Sequence, residues 1–218
     1  MDYRNEVQSK VAKMVADRIA SQLDDGRSVL WLLSGGSGGQ VCVDASKLLA
    51  GRNMSNLYVT FSDERYGEPG HADENYQILV SNGLSLPRAQ IYRPLQGLSR
   101  DETVANFADW LGEVSEGVDY KFAVMGVGED GHTAGIKPHS PAVDSQRLAE
   151  IYHAADFDRL TVTLNFLRTL DEAVVQIYGA PKHDVVSRLL ENKVDAEDFP
   201  ALVLHDIAQV TLFSDYQR

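Results

Sequence analysis

Cysteine occurs once in this chain of 218 residues, so an internal disulfide is excluded. That residue, Cys42, lies in the apolar helical pattern "QVCVDASKLLA" and reads as a buried side chain, not a reactive one. Long apolar runs are missing as well. The longest, "VLWLL", falls far short of the roughly 20 residues that cross a bilayer as a helix. The N-terminal "MDYRNEVQSK" has no apolar core and no small-residue cleavage site. No signal or transit peptide is expected there, and a cytoplasmic location is. Basic charge is scarce: 20 Lys and Arg against 32 Asp and Glu leave a net charge of −12, with no local Lys/Arg cluster to offset it. Such a surface repels nucleic acid and anionic membranes, so neither is expected as a partner and a small molecule is. Low-complexity blocks, linker-like stretches and internal repeats are also lacking, while 44% hydrophobic and 24% charged residues are ordinary globular values. One domain over 1–218 is expected.

What is present is an alternation of strand-like and helix-like segments. Apolar positions Val7, Val11, Met14, Val15, Ile19 and Leu23 predict an amphipathic helix over about 4–23. The continuous run 29–33 reads as a strand buried on both faces, followed by a glycine turn and a helix ended by Gly51. Further strands are predicted at 57–61, 121–125, 159–164, 172–178 and 201–205, and helices at about 75–82, 101–115 and 182–192. This pattern predicts an α/β fold, a Rossmann-like, mostly parallel sheet with helices on both faces. Ligands of such sheets bind beyond the carboxyl ends of the strands, and three of those ends carry polar clusters.

The first cluster, "SGGSGG" (34–39), can cradle an anion: Gly35 and Gly36 let backbone N–H groups approach, Ser34 and Ser37 add hydroxyls, and a helix N-terminus follows. A turn that merely needs positive φ angles would explain the same glycines. In the second, "SDERYG" (62–67), Arg65 suits a bidentate grip on phosphate and Asp63 suits sugar hydroxyls; mutual pairing of Arg65 with the acids is the alternative. The third, "GVGEDGHTAG" (126–135), sets Asp130 and His132 on either side of Gly131, so a sharp turn could let the acid orient the imidazole as a proton carrier. A solvated or capping histidine would be the plainer outcome. Lys182, in "YGAPKHD", and Lys137 are the cations at hand for an anionic ligand, unless they are ordinary surface lysines. The histidines at 71, 139, 153, 183 and 205 form no pair with metal-ligand spacing.

Taken in order, "LSGGSGG", "SDERY" with Asn75, "GVGEDGHTAG", "RLTVTL", "GAPK" and "VTLFSD" resemble the 6-phosphogluconolactonase branch of the glucosamine-6-phosphate isomerase/6-phosphogluconolactonase superfamily. The resemblance spans nearly the whole chain. It implies the NagB/RpiA-type fold and the hydrolysis of 6-phospho-D-glucono-1,5-lactone in the oxidative pentose phosphate pathway. It also implies that His132 is the general base activating water, that Asp130 orients it, that Arg65 and Lys182 hold the phosphate beside Ser34, Gly35, Gly36 and Ser37, and that Asp63 contacts the sugar. An activated water and a stabilised oxyanion suffice for a lactone, so neither a metal nor an organic cofactor is called for. A monomer is expected, with a homodimer as the alternative.

The chain departs from the branch at two places. After "DGHTA" it has "GIKP" where "SLFP" is common, and Glu74 precedes Asn75 where a small residue is usual, a change expected at the pocket rim. Two other functions stay open. In the deaminase branch the histidine is followed by Ile-Ala-Phe-Asn-Glu-Pro, whose glutamate falls at Lys137 here, and an aromatic residue stands in place of Arg65. A sugar-phosphate sensor that binds without turnover would use the same fold, though it would not need Asp130 and His132.

Overall fold

The computed structural model describes residues 1–6 and 8–217. In chain order it contains β1 (Asp2–Arg4), α1 (Gln8–Asp24), β2 (Val29–Leu33), α2 (Gly36–Leu48), β3 (Leu57–Phe61), β4 (Asp63–Arg65), α3 (Asn75–Ser81) and β5 (Gln90–Ile91). There follow α4 (Arg100–Gly117), β6 (Tyr120–Gly126), α5 (Pro141–Asp144), β7 (Ala149–His153), β8 (Asp158–Val162), α6 (Leu164–Leu167), β9 (Glu172–Ile177), α7 (His183–Glu191) and β10 (Gln209–Ser214). Short 3-10 turns occupy Ala180–Lys182 and Pro200–His205.

Seven strands form the central sheet in the order β1-β10-β9-β6-β2-β3-β5, every neighbouring pair parallel. Alternation along the inner strands explains their unbroken apolar sequences. On β2, Val29, Trp31 and Leu33 enter one core with Val11, Val15 and Ile19 of α1 and Val41, Cys42 and Ala45 of α2. Leu30 and Leu32 enter the opposite core with Phe107 and Leu111 of α4 and Val185 and Leu189 of α7. Both faces of the strand are dry, so both sets of side chains must be apolar. Cys42 is fully buried, as its helical context predicts. Among the described residues no helix is long and apolar enough to cross a membrane.

Several predicted elements change in the structure. The first helix begins at Gln8, not near residue 4; Asp2–Arg4 instead adds an edge strand beside β10, a three-residue segment too short to show periodicity. Val7, assigned to that helix's apolar face, lies outside the described residues. Strands β4, β8 and β7 form a separate antiparallel sheet, so the predicted strand at 159–164 does not join the parallel one and "SDER" is strand rather than loop. The segment "ALVLH", predicted as a strand, is a 3-10 turn. Short buried apolar runs look alike in either conformation, and Pro200 at its start favours the helical one. Glycines 36, 38 and 39 are the first turn of α2 and not a free loop.

Glu74 is also placed differently from expectation. It is fully buried at the N-cap of α3 and does not line the cavity described below. Its carboxylate takes Arg93 Nε at 2.5 Å and Nη2 at 2.6 Å, and accepts the Gly70 N–H at 2.6 Å. It thus fastens the loop that leads into α3. Removing the guanidinium would strand a buried charge, so Arg93→Ala should lower unfolding free energy by about 3 kcal/mol in chemical denaturation.

Candidate active site

The parallel arrangement delivers the ends of β2, β3, β6 and β9 to one edge of the sheet, and a cavity of about 200 Å³ opens there. Ser34, Gly35, Gly36, Ser37, Asp63, Arg65, His132 and Lys182 all line it. Asp130 does not; it stands behind His132.

Ser34 follows β2 directly, and α2 starts two residues later with Gly35 as N-cap. No side chain caps this helix, so the N–H groups of its first turn are not taken by a capping residue, and they carry the positive end of the helix dipole. On the neighbouring strand end, the buried Glu64 carboxylate accepts N–H groups from Arg65 at 2.9 Å, Asn75 at 2.6 Å and Tyr76 at 3.1 Å. Burial pushes this carboxyl up to about 8 against the pull of those donors. Asn75 Nδ2 donates to the Asp63 carbonyl at 2.9 Å. Glu64 and Asn75 therefore tie the N-terminus of α3 to the strand that presents Asp63 and Arg65. Arg65 pairs with neither acid: its Nη1 donates to the Asp73 carbonyl at 2.9 Å, its guanidinium lies over the Phe157 ring, and its buried Nε has no partner.

The histidine loop leaves β6 as a tight turn. Gly128 donates to the His132 carbonyl at 2.9 Å, and Gly131 donates to the Gly128 carbonyl at 3.0 Å. Gly131 has φ +85°, and a Cβ there would sit 2.5 Å from the Phe199 ring. A Cβ on Gly128 would sit 2.1 Å from the imidazole. Only glycine allows both approaches. The 3-10 turn at Pro200–His205, predicted as a strand over 201–205, supports this loop from below, with Ala201 N–H donating to the Gly131 carbonyl at 3.0 Å.

Within the loop, Asp130 Oδ1 lies 2.5 Å from His132 Nδ1 and accepts the His132 backbone N–H at 3.2 Å. The carboxylate can only accept, so Nδ1 carries the proton and Nε2 is the basic nitrogen left for the cavity. Burial lowers the His132 pKa and outweighs the upward pull of Asp130; Lys137 and Arg159 add to the lowering. Burial alone would raise Asp130, yet its bonds to Lys137 and His132 bring it down to about 2. The pair at neutral pH is a neutral imidazole on an ionised carboxylate.

Lys182, on the turn after β9, donates from Nζ to the Val127 carbonyl at 2.9 Å, which places its charge across from His132. Lys137 lies outside the cavity and bonds Asp130 Oδ2 at 3.0 Å. Sequence reading missed Arg159, a buried lining residue on β8. It pairs with Asp63 at 3.9 Å and Asp156 at 2.6 Å. A lone arginine opening an apolar strand carries no signal of its own; its place opposite Arg65 in the antiparallel register creates the role. Among the described residues no group of three His, Cys, Asp or Glu side chains is placed to hold a metal ion.

A doubly buried parallel sheet, an uncapped helix N-terminus and three cations around a histidine define an α/β protein built to take a small anionic ligand beside a proton acceptor. The chain belongs to the family of glucosamine-6-phosphate isomerases and 6-phosphogluconolactonases, whose model matches residues 2–213. It is similar to the 6-phosphogluconolactonase of Synechocystis, 25% identical over 97% of this chain and 88% of that one. In structure it resembles a 6-phosphogluconolactonase from Shewanella baltica, with a TM-score of 0.81 at 23% identity over 98% of this chain and 96% of the other. A monomeric glucosamine-6-phosphate deaminase also superposes with a TM-score of 0.81, at 16% identity over 98% and 97% of the two chains. The fold is thus common to both branches, and the site must separate them.

The turn geometry makes a direct prediction. Gly131→Ala forces a side chain into the left-handed region and against Phe199, and should cost about 2 kcal/mol or more of stability in thermal or urea unfolding.

Proposed function

We propose that this chain is a single-domain cytoplasmic enzyme that hydrolyses 6-phospho-D-glucono-1,5-lactone to 6-phosphogluconate, a step of the oxidative pentose phosphate pathway. The observation that carries the reading is the histidine arrangement: an imidazole lining the cavity, its Nδ1 taken by Asp130 and its Nε2 without a partner among the described residues, in one cavity with Lys182 and Arg65.

In this reading the substrate phosphate lies against Ser34, Gly35, Gly36 and Ser37, where N–H groups and the α2 dipole favour an anion, with Arg65 and Lys182 supplying full charges. Asp63, held beside Arg159, accepts from sugar hydroxyls. His132 Nε2 removes a proton from water as the water oxygen bonds to C1, and the carbonyl electrons move onto oxygen as an oxyanion stabilised by N–H donors. Collapse of that intermediate breaks the bond from C1 to the ring oxygen, which takes the proton back from the imidazolium. Asp130 stabilises the transient imidazolium and keeps the ring in the required tautomer. The deaminase alternative is disfavoured by Lys137, which stands where that branch has its glutamate and is bonded to Asp130.

The test generates the lactone in situ and follows its loss by phosphorus NMR above the spontaneous rate. Wild type should accelerate hydrolysis, and His132→Ala should lose about 10²–10⁴-fold of that acceleration. Asp130→Asn should lose on the order of 10³-fold through the wrong tautomer. The acid limb of kcat/KM should lie below the ordinary imidazole range, because burial lowers the His132 pKa and activity disappears only as pH falls through it. Release of ammonia from glucosamine 6-phosphate, with no effect on the lactone, would favour the deaminase; saturable binding without turnover would favour a sensor.

A further inference from the structure

Among the described residues, Lys137 is the cation near the histidine that does not line this cavity, and its placement is specific. Its backbone is anchored on both sides: the Lys137 N–H donates to Tyr152 Oη at 3.2 Å, Tyr152 Oη donates to the Gly135 carbonyl at 2.5 Å, the Gly135 N–H donates to Thr161 Oγ1 at 3.0 Å, and the Lys137 carbonyl accepts the Ser140 N–H at 3.1 Å. The 133–136 turn closes on itself through the Ile136 N–H on the Thr133 carbonyl at 2.9 Å. From this base the side chain runs to Asp130, where Nζ meets Oδ2 at 3.0 Å. The other oxygen, Oδ1, is the one on His132 Nδ1 at 2.5 Å.

Each carboxylate oxygen therefore has its own donor. The Asp130 side chain is 42% exposed, so with Lys137 absent Oδ2 would face water and the carboxylate could turn. We infer that Lys137 is a positioning residue of the active centre: it holds the Asp130 carboxylate in the orientation that receives His132 and, through that carboxylate, fixes which imidazole nitrogen carries the proton. This rests on the lactonase reading for its kinetic consequences but not for its structural ones.

The charges facing His132 are few. Asp130 and Lys137 come from its own loop, and Arg159 comes from β8 with its partners Asp63 and Asp156. Lys182, on the Val127 carbonyl, and Arg65 line the same cavity, and the apolar Phe199, just before the 3-10 turn, packs beneath the loop. Of these, Lys137 alone touches Asp130 from the side away from His132. Its positive charge offsets part of the carboxylate's stabilisation of imidazolium, which agrees with its lowering effect on His132. As an ion pair with an exposed partner, it should matter little for global stability.

The test compares wild type, Lys137→Met and Lys137→Arg. In 15N-histidine-labelled protein, the ring nitrogen shifts of neutral His132 should report a single Nδ1–H tautomer in wild type, a mixture of tautomers in Lys137→Met and the single tautomer again in Lys137→Arg. In kinetics on the lactone, Lys137→Met should lower kcat about tenfold with KM within about twofold, since Lys137 does not reach the cavity. Lys137→Arg should restore both. An unchanged single tautomer in a folded Lys137→Met protein would overturn the inference, as would a raised KM with kcat unchanged, which would make Lys137 a substrate anchor. The NMR arm needs no substrate. Failure of the lactonase reading would leave wild type inactive while the tautomer balance still shifts, so the two failures are distinguishable.

Discussion

Parallel pairing of β2, β3, β6 and β9 is the constraint on which everything else in this molecule depends, because it sends successive chain segments out of the same edge of the sheet. Each exit carries a different chemical group: hydroxyls and N–H groups after β2, an acid and a guanidinium after β3, the histidine turn after β6 and an ammonium after β9. Antiparallel pairing would have scattered them over two edges. The requirement that crossover helices cover both faces makes the strands apolar throughout, and so concentrates the polar chemistry in the turns.

The small antiparallel sheet completes the cavity in a way the large sheet cannot. β4 continues from β3 after one residue and pairs with β8, which sets Arg65 opposite Arg159 and Asp63 opposite Thr161. Two guanidiniums in register would repel each other. Each is neutralised or spread separately: Arg159 by Asp156 and Asp63, Arg65 by the Asp73 carbonyl and the Phe157 ring. In a chain of net charge −12, the cavity thus collects Arg65, Arg159 and Lys182 in one place, each held by a local partner. The negative surroundings repel an anion at a distance, and the cavity's own N–H groups and cations reverse that at close range.

The histidine turn shows how much of such a site is support. Glycines 128 and 131 let the backbone fold under the imidazole, Phe199 and Ala201 hold the turn from below, and Asp130 and Lys137 form a line of charge behind the ring. Burial keeps the imidazole neutral, and the carboxylate decides which nitrogen remains basic. Both effects come from neighbours and neither is a property of histidine itself.

Much of this was legible in the sequence. The runs 29–33, 57–61 and 121–125 are strands because continuous apolar segments between helical patterns have few other uses, and the polar clusters after them line the cavity. Local signals failed where identity of an element depended on a distant partner. "ALVLH" is as apolar as a strand yet turns, because it packs beneath Gly131; Asp2–Arg4 is a strand only because β10 lies beside it; Glu74 turns from the cavity because Arg93 reaches it from 19 residues away. By itself the sequence determined the α/β class, the strand ends and the residue types available for chemistry, since these follow from periodicity and composition. Only the tertiary structure decided that Arg159 joins the cavity and that Lys137 serves Asp130, because both depend on through-space register and side-chain reach that no local pattern encodes.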